Sequence, residues 1–300
     1  MLKLFYDVNS VDPVVKSETY WAHDHSEKIE YQSFFNEKKS LIQQSSIEDC
    51  DFVFIPYKFK NEDLTKNKIY QKSLEHEKTV IQFFNDDNDR VFALPQKNFY
   101  LFRTSTYKKQ ILSNEIIMPA FCETFDYVPP NAESITKQKI SFCGNPYEPA
   151  RINFFKKILS FQSLNKNFVF RQGFWAPEIQ NKEIARKQFV DNLREGLFGI
   201  CIRGNGNFSY RLYETLALGR IPIIINSDLK LPLEKHIDWK NVAITIEESQ
   251  LIDLEIIIND FIKNHDVELI CQQNKFLYDE YFSPLGLIKH FHLYIEECNH

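Results

Sequence analysis

The sequence predicts an α/β protein of two domains, each with a parallel sheet. Short apolar runs alternate with helical stretches along most of the 300 residues, which is the pattern of β-α-β units. Residues 51–57 are almost continuously apolar, as a strand buried on both faces requires. A polar stretch with two prolines, residues 127–138, interrupts the alternation. It therefore predicts a linker between two domains, with a cleft between them.

Each predicted element follows from its local pattern. Before the linker, we expect apolar strands at 2–6, 51–57, 79–84 and 99–103, and a charged helix at 65–78. After it, we expect strands at 139–143, 167–171, 197–202 and 221–225, with helices at 149–161, 181–194 and 208–218. Gly219 should end the last of these helices, because glycine accepts the left-handed backbone that follows a helix. Two or three more helices are expected from residue 247 onward.

These elements give the predicted domain boundaries. Residues 1–130 form an N-terminal Rossmann-like domain, and residues 131–283 form a C-terminal one. Residues 284–300 are expected to form a helix that packs back on the N-terminal domain.

Composition narrows the class of protein. With 43% hydrophobic and 26% charged residues, the chain is typical of a soluble globular protein. Its net charge, 36 − 41 = −5, argues against a nucleic-acid binder held by phosphate contacts. No signal peptide or membrane-spanning stretch is apparent, and no two cysteines form a CxxC pair. Four cysteines in or beside apolar runs, Cys50, Cys122, Cys143 and Cys201, are expected to be buried. We therefore expect a cytoplasmic protein, with peripheral association at the inner face of the membrane left open.

The most informative segment is residues 199–239, which begins with a strand, a glycine-containing loop and a helix. Gly204 would let the backbone approach a ligand closely, and the helix N-terminus offers free N–H groups that suit phosphate. Arg203 and Arg211 could bind a diphosphate there. Glu214, one turn beyond Arg211, could accept two ribose hydroxyls. Alternatively, Arg211 and Glu214 form only a surface ion pair.

This segment resembles the exostosin family of glycosyltransferases. The matching motifs, in family order, are Arg203-Gly204, Ser209-Tyr210-Arg211, Glu214-Thr215-Leu216, Gly219, Ile221-Pro222-Ile223-Ile224, Leu231-Pro232-Leu233 and Ile237-Asp238-Trp239. Weaker similarities lie at residues 49–56, at 115–119, and at 141–144 followed by Arg151. The resemblance thus covers most of the chain.

The resemblance implies a GT-B fold whose second domain binds a nucleoside-diphosphate sugar, with UDP favoured, and an inverting transfer with no obligatory metal or cofactor. Arg203 and Arg211 would neutralise the leaving diphosphate, Ser209 would bind a phosphate oxygen, and Glu214 would hold the ribose. The expected donor site also includes Gly144, Arg151, Gly204, Asn207 and Tyr210. The acceptor would be a hydroxyl of a growing surface glycan or lipopolysaccharide, either free or linked to lipid.

An inverting transfer needs a base for the acceptor proton. Two clusters in the first domain qualify. Asp87 lies in a loop after a predicted strand, where ligands of parallel sheets bind, and Asp24 and His25 lie in an earlier loop. Asp87 is the first choice. A retaining mechanism is disfavoured because no second glutamate stands eight residues from Glu214.

Two alternatives stay open. Asp87 and Asp89 form a DxD string that could hold Mn²⁺ or Mg²⁺ on the diphosphate of a metal-dependent transferase. The chain could also be an inactive subunit that binds a nucleotide or glycan without turnover.

Overall fold

The computed structural model describes residues 1–6, 41–55, 58–61, 63–173 and 176–298, which lie in two compact units. The first unit contains Met1–Phe121, Lys230–His236 and Glu280–His300. The second contains Cys122–Leu229 and Ile237–Asp279. The division therefore falls at residue 121 rather than at the expected residue 130. Residues 230–236 and 280–283, expected in the second domain, group with the first.

The first unit contains a parallel sheet of six strands among its described residues. The strands are β1 (Leu2–Phe5), β2 (Ile42–Gln44), β3 (Phe52–Phe54), β4 (Val80–Phe84), β5 (Phe99–Arg103) and β6 (Glu115–Ile117), in the order β2-β1-β3-β4-β5-β6. Helix α1 (Lys68–Glu75) connects β3 to β4 and begins at Asn67, whose side chain accepts from two helix N–H groups. Every residue of β4 is buried, Gln82 included, as its nearly continuous apolar pattern predicts for a central parallel strand.

The second unit contains a parallel sheet of five strands. Its elements are α2 (Ala132–Thr136), β7 (Ile140–Gly144), α3 (Pro149–Ser160), β8 (Lys166–Phe170), α4 (Lys182–Glu195), β9 (Phe198–Cys201), α5 (Tyr210–Ala217), β10 (Ile221–Ile225), β11 (Ile244–Ile246), α6 (Leu254–Asn264) and α7 (Val267–Leu277). The strand order is β11-β10-β9-β7-β8. The connection from β7 leads to β8 on one side of β7, and the connection from β8 leads to β9 on the other side. The switch point therefore lies between β7 and β9. Ligands of open α/β sheets bind at the carboxyl ends of the strands at such a point.

The C-terminal helices α8 (Pro284–Lys289) and α9 (Phe291–Glu296) lie in the first unit. The Phe291 ring stacks on Phe102 of β5, with ring centroids 4.8 Å apart, and meets Phe52 of β3 edge-on at 5.4 Å. These contacts bury Phe291 against the first unit's own sheet. No helix in the described part of the chain is both long and apolar enough to span a membrane.

The predicted α/β fold with two parallel sheets is confirmed, and four local expectations need correction. From residue 247 onward the described chain has four α-helices, α6 to α9, where two or three were expected, and residues 284–296 form two helices where one was expected. The expected linker contains helix α2, which Asn131 caps by accepting from the Ser134 N–H at 2.7 Å. The three-residue strands β2, β6 and β11 were not predicted, because so short a run shows no period. Cys122 is half-buried rather than buried, whereas Cys50, Cys143 and Cys201 are buried as expected.

Candidate functional site

Strand β9 leads through a short loop into helix α5 at the switch point of the second sheet. Ser209 is the N-cap of α5 and has extended backbone angles, φ −139° and ψ 118°. Its side chain makes no capping hydrogen bond, so the hydroxyl does not satisfy the first N–H groups of the helix. The predicted strand-loop-helix segment is therefore present, with the helix beginning at Tyr210 rather than at residue 208.

Strand and helix are also packed closely at this point. A Cβ added to Gly199 of β9 would lie 2.5 Å from the Thr215 hydroxyl oxygen on α5. Gly199 thus allows α5 to lie against the strand from which the loop departs. The absence of a Cβ at Gly199 permits this close approach of α5 to β9.

Arg151 joins the ends of the two strands at the switch point. Its Nε donates to the Arg203 carbonyl at 2.8 Å, and its Nη2 donates to the Ile202 carbonyl at 3.3 Å, both just after β9. Its Nη1 donates to the Asn145 carbonyl, just after β7, at 2.9 Å. A Cβ on Gly204 would lie 3.3 Å from Nη2, so this loop passes close to the guanidinium.

Arg211 lies on the same side, beside the end of β7. Its Nη2 donates to the Cys143 carbonyl and lies 3.3 Å from the Cβ position of Gly144. The guanidinium carbon is 5.6 Å from the Phe142 ring centroid and 4.3 Å from that of Phe189. Among the described residues, the buried Nε has no hydrogen-bond partner. Arg211 therefore retains donor capacity that the protein itself does not use.

Positive charge is concentrated at this end of the sheet. Burial and, to a smaller extent, the nearby Arg211 charge lower the pKa of Arg151 to about 10, while the Glu148 charge opposes the shift. The group is still protonated at neutral pH. Two close guanidiniums, partly removed from water, create a potential that an anionic ligand would relieve.

Glu214 lies between two arginines. One carboxylate oxygen is 3.4 Å from Nη1 of Arg211, and the other is 3.5 Å from Nη1 of Arg186 on α4. Arg186 is itself held by Glu123, which accepts from Nε at 3.1 Å and from Nη2 at 2.8 Å. Burial opposes the charge of Arg186, but Glu214 and Glu123 outweigh it and raise its pKa.

The loop between β9 and α5 is fixed internally. Arg203 donates through Nη2 to the Asn205 carbonyl at 2.8 Å and lies 3.4 Å from the Asn207 side-chain oxygen. That oxygen also accepts from the Ser227 hydroxyl at 2.6 Å, and the Asn207 amide donates to the Asp228 carbonyl at 3.2 Å. Asn207 is fully buried, so it joins this loop to the segment after β10. The half-buried Tyr210 packs edge-on against Phe208 at 5.1 Å.

In the first unit, three aspartates follow β4. Asp86 pairs with Lys58, and Asp89 accepts from the Ser105 hydroxyl. Asp87 is the exposed member of the group. The other predicted base residues, Asp24 and His25, lie outside the described residues.

A buried arginine on β5 holds the loop that follows β4. Arg103 on β5 pairs with Glu115 at 2.5 Å, and neither side chain is exposed. Arg103 also donates to the Asn88 carbonyl at 2.7 Å and to the Arg90 carbonyl at 3.2 Å. Within the described ranges, no three His, Cys, Asp or Glu side chains form a group that could hold a metal ion.

Sequence reasoning missed Arg186, Phe189 and Glu123. Arg186 and Phe189 lie one turn apart on α4, a spacing that any helix provides, and Glu123 is 63 residues away from Arg186. The sequence therefore carried no local signal that these side chains meet Glu214.

The family comparison agrees with this fold. The two units with parallel α/β sheets and the family match place the chain in a family of glycosyltransferases. More specifically, the chain belongs to the Exostosin GT47 domain family, whose model matches residues 14–261. The family predicted from residues 199–239 is thus confirmed.

Similar curated proteins match over part of the chain. Exostosin-1 of Drosophila melanogaster is 31% identical over 108 residues, covering 36% of this chain and 14% of the relative. The exostosin-1 homolog of Caenorhabditis elegans is 27% identical over 108 residues, covering 36% of this chain and 28% of the relative. A probable glucuronosyltransferase of Oryza sativa subsp. japonica is 30% identical over 79 residues, covering 25% of this chain and 18% of the relative. The matches therefore span less than a third of each of these proteins.

Solved structures show a distant likeness. Anabaena HepE in complex with UDP is 9% identical, with 99% of this chain and 100% of that chain covered and a TM-score of 0.45. A glycosyltransferase of Rickettsia africae is 12% identical, with 89% and 80% covered and a TM-score of 0.43.

Proposed function

We propose that the chain is an inverting glycosyltransferase that takes a sugar from a nucleoside-diphosphate donor, with UDP favoured. The acceptor is a hydroxyl of a growing surface glycan or lipopolysaccharide, and the reaction takes place in the cytoplasm or at the inner face of the membrane. The observation that carries the donor assignment is Arg211. It lies at the switch point of the second sheet, beside the N-terminus of α5, with unused donor capacity.

The chemistry of glycosyl transfer explains why such a site is needed. As the sugar leaves, negative charge develops on the diphosphate, and fixed cationic donors stabilise that charge. Arg211 and Arg203 supply cations, while Ser209 and the first N–H groups of α5 supply neutral donors. Gly144 and Gly204 let Arg211 and Arg151 approach the backbone closely, each guanidinium lying 3.3 Å from a Cβ position. No obligatory metal is proposed.

Two of the predicted donor-site residues are assigned supporting roles. Three of the Arg151 nitrogens donate to backbone carbonyls, so Arg151 holds the loop after β9 in position. Asn207 is buried and its amide is bonded on both sides, so it fixes the same loop. Tyr210 is the first residue of α5, and we include it in the donor site because of this location. Glu214 is proposed to bind the ribose hydroxyls.

The base for the acceptor proton is proposed to be Asp87. Asp87 is exposed and follows the carboxyl end of β4, where ligands of parallel sheets bind. Asp24 and His25 are the alternatives. A base in this position accepts the acceptor hydroxyl proton as the new glycosidic bond forms and the bond to the diphosphate breaks.

The donor assignment is tested by ligand-induced stabilisation. The purified chain is heated with UDP, GDP, CDP, ADP or CMP, in EDTA and separately in Mn²⁺. A ligand at 100 times its dissociation constant stabilises by about 2.7 kcal/mol, a shift of a few degrees for this size of chain. We expect a shift with UDP that survives EDTA and disappears in Arg211→Ala.

Other outcomes lead to the alternatives. A shift that requires Mn²⁺ favours the metal-dependent transferase with Asp87 and Asp89. Binding without sugar transfer to any acceptor favours the inactive subunit. No shift with any of the nucleotides contradicts the donor site.

A further inference from the structure

Two ion pairs compete for Glu214. Its carboxylate is almost equally distant from Arg211 and Arg186, at 3.4 and 3.5 Å, and it is 13% exposed. Under the proposed function, Arg211 must turn toward a diphosphate and Glu214 toward a ribose. Both movements remove Glu214 from Arg211, which leaves a largely buried carboxylate in need of another cation.

We propose that Arg186 is a positioning residue for the donor site, which holds Glu214 and so leaves Arg211 available to the diphosphate. This inference rests on the proposed function of Arg211 and Glu214. Arg186 acts through Glu214 and has no contact with the reacting atoms in the proposal.

The guanidinium of Arg186 can serve two carboxylates because its nitrogens are divided between them. Nε and Nη2 donate to the same oxygen of Glu123, and Nη1 faces Glu214. A planar guanidinium supports this arrangement, whereas the single ammonium of lysine cannot present the same fork. Glu123 therefore fixes the plane of Arg186, and that plane directs Nη1 at Glu214.

Phe189 contacts both arginines. Its ring centroid is 4.7 Å from the guanidinium carbon of Arg186 and 4.3 Å from that of Arg211. Each cation lies within the range of a cation–π contact. The two cations therefore share the Phe189 ring, and Glu214 is the carboxylate that Nη1 of each arginine faces. In this proposal, donor binding changes which of the two arginines pairs with Glu214.

The test is a double-mutant cycle on UDP affinity, measured by titration calorimetry. Arg186→Met should weaken UDP binding about tenfold in the wild-type background, since residues in one ion-pair network couple strongly. In the Glu214→Gln background, the same substitution should weaken binding less than threefold, because the competing carboxylate is already neutral. Arg186→Lys and Glu123→Gln should each give an intermediate loss, and they replace Arg186→Met if that variant does not fold.

A matched control separates position from charge. Lys187 lies next to Arg186 on α4, is exposed, and pairs with Asp191 at 2.5 Å. Lys187→Met removes the same charge without touching Glu214, so UDP affinity should stay within about twofold of wild type. A loss as large as that of Arg186→Met would indicate a general field effect and would overturn the proposal.

The remaining outcomes distinguish the inference from the proposed function. If the wild type binds UDP and Arg186→Met costs the same in both backgrounds, Arg186 acts on the ligand directly or on the fold generally, and the inference fails alone. If the wild type binds none of the nucleotides, the proposed donor site fails and the inference fails with it.

Discussion

The Nε of Arg151 donates a hydrogen bond to the backbone carbonyl of Arg203 at 2.8 Å, which joins the start of α3 to the loop after β9. With the bond to Asn145, the same guanidinium connects the carboxyl ends of two neighbouring strands. The switch point is thus held by a side chain whose partners are backbone carbonyls. The backbone of Arg203 is thus held by Arg151 as well as by its own strand.

Arg151→Met should therefore weaken UDP binding without removing any proposed phosphate contact. Losing three hydrogen bonds from a charged donor should also lower the free energy of unfolding, by about 1.5–3 kcal/mol at least. Hydrogen exchange of the amides of residues 202–206 should become faster, because the loop loses its support. Lys157→Met on the same helix, which removes an exposed pair with Glu248, is the control and should change neither quantity measurably. Unchanged exchange in Arg151→Met would contradict the bracing role.

The contact between β9 and α5 gives a second prediction. Gly199→Ala would place a Cβ 2.5 Å from the Thr215 hydroxyl oxygen and should destabilise the protein by about 1–3 kcal/mol. Because the overlap is with the Thr215 side chain, adding Thr215→Ala should recover at least half of that loss. Urea unfolding of the two single variants and the double variant measures this coupling. Purely additive losses would show that the strand, rather than Thr215, resists the added methyl group.

Sequence patterns predicted the strand, loop and helix at residues 197–219 well because their signals are local. The glycine that ends α5, Gly219, has φ +63°, the left-handed conformation expected from its position. Helix α2 was missed although Asn131 is a regular N-cap, because the surrounding prolines and polar residues favoured a linker. The Glu123–Arg186 pair was not predictable, since a 63-residue separation leaves no periodic trace in one sequence.

The buried thiol of Cys271 predicts a loss of stability at high pH. Burial raises the pKa of Cys271 from 9.0 to about 12 in the folded protein, although the nearby Arg220 charge opposes this rise. The thiol's contribution to stability is therefore complete below pH 9 and is lost as the pH rises from 9 toward 12. Over that range, the stability of the wild type relative to Cys271→Ala should fall by about 1.4 kcal/mol per pH unit. Chemical denaturation of both proteins at pH 8.5, 9.5 and 10.5 measures the difference, and a constant difference would contradict it.

The three aspartates after β4 give the sharpest test of the catalytic assignment, because their surroundings differ while their sequence context is shared. Asp87→Asn should lower kcat by about 10²–10⁴-fold and leave UDP affinity unchanged, since a base acts on the acceptor proton. Asp86→Asn and Asp89→Asn are matched controls. They remove carboxylates that pair with Lys58 and Ser105 and should have smaller effects on kcat. UDP release from a UDP-sugar in the presence of acceptor measures the rate.

The pattern of losses identifies the base. Equal losses of kcat in Asp87→Asn and Asp89→Asn, together with loss of wild-type activity in EDTA, would support metal binding by the two carboxylates. Full activity in Asp87→Asn would transfer the role to Asp24 or His25, which Asp24→Asn and His25→Gln then separate. A base at Asp87 requires that the loss appear in kcat alone, because Arg211 and the α5 N-terminus, which bind the donor in this proposal, are unchanged in every variant of the series.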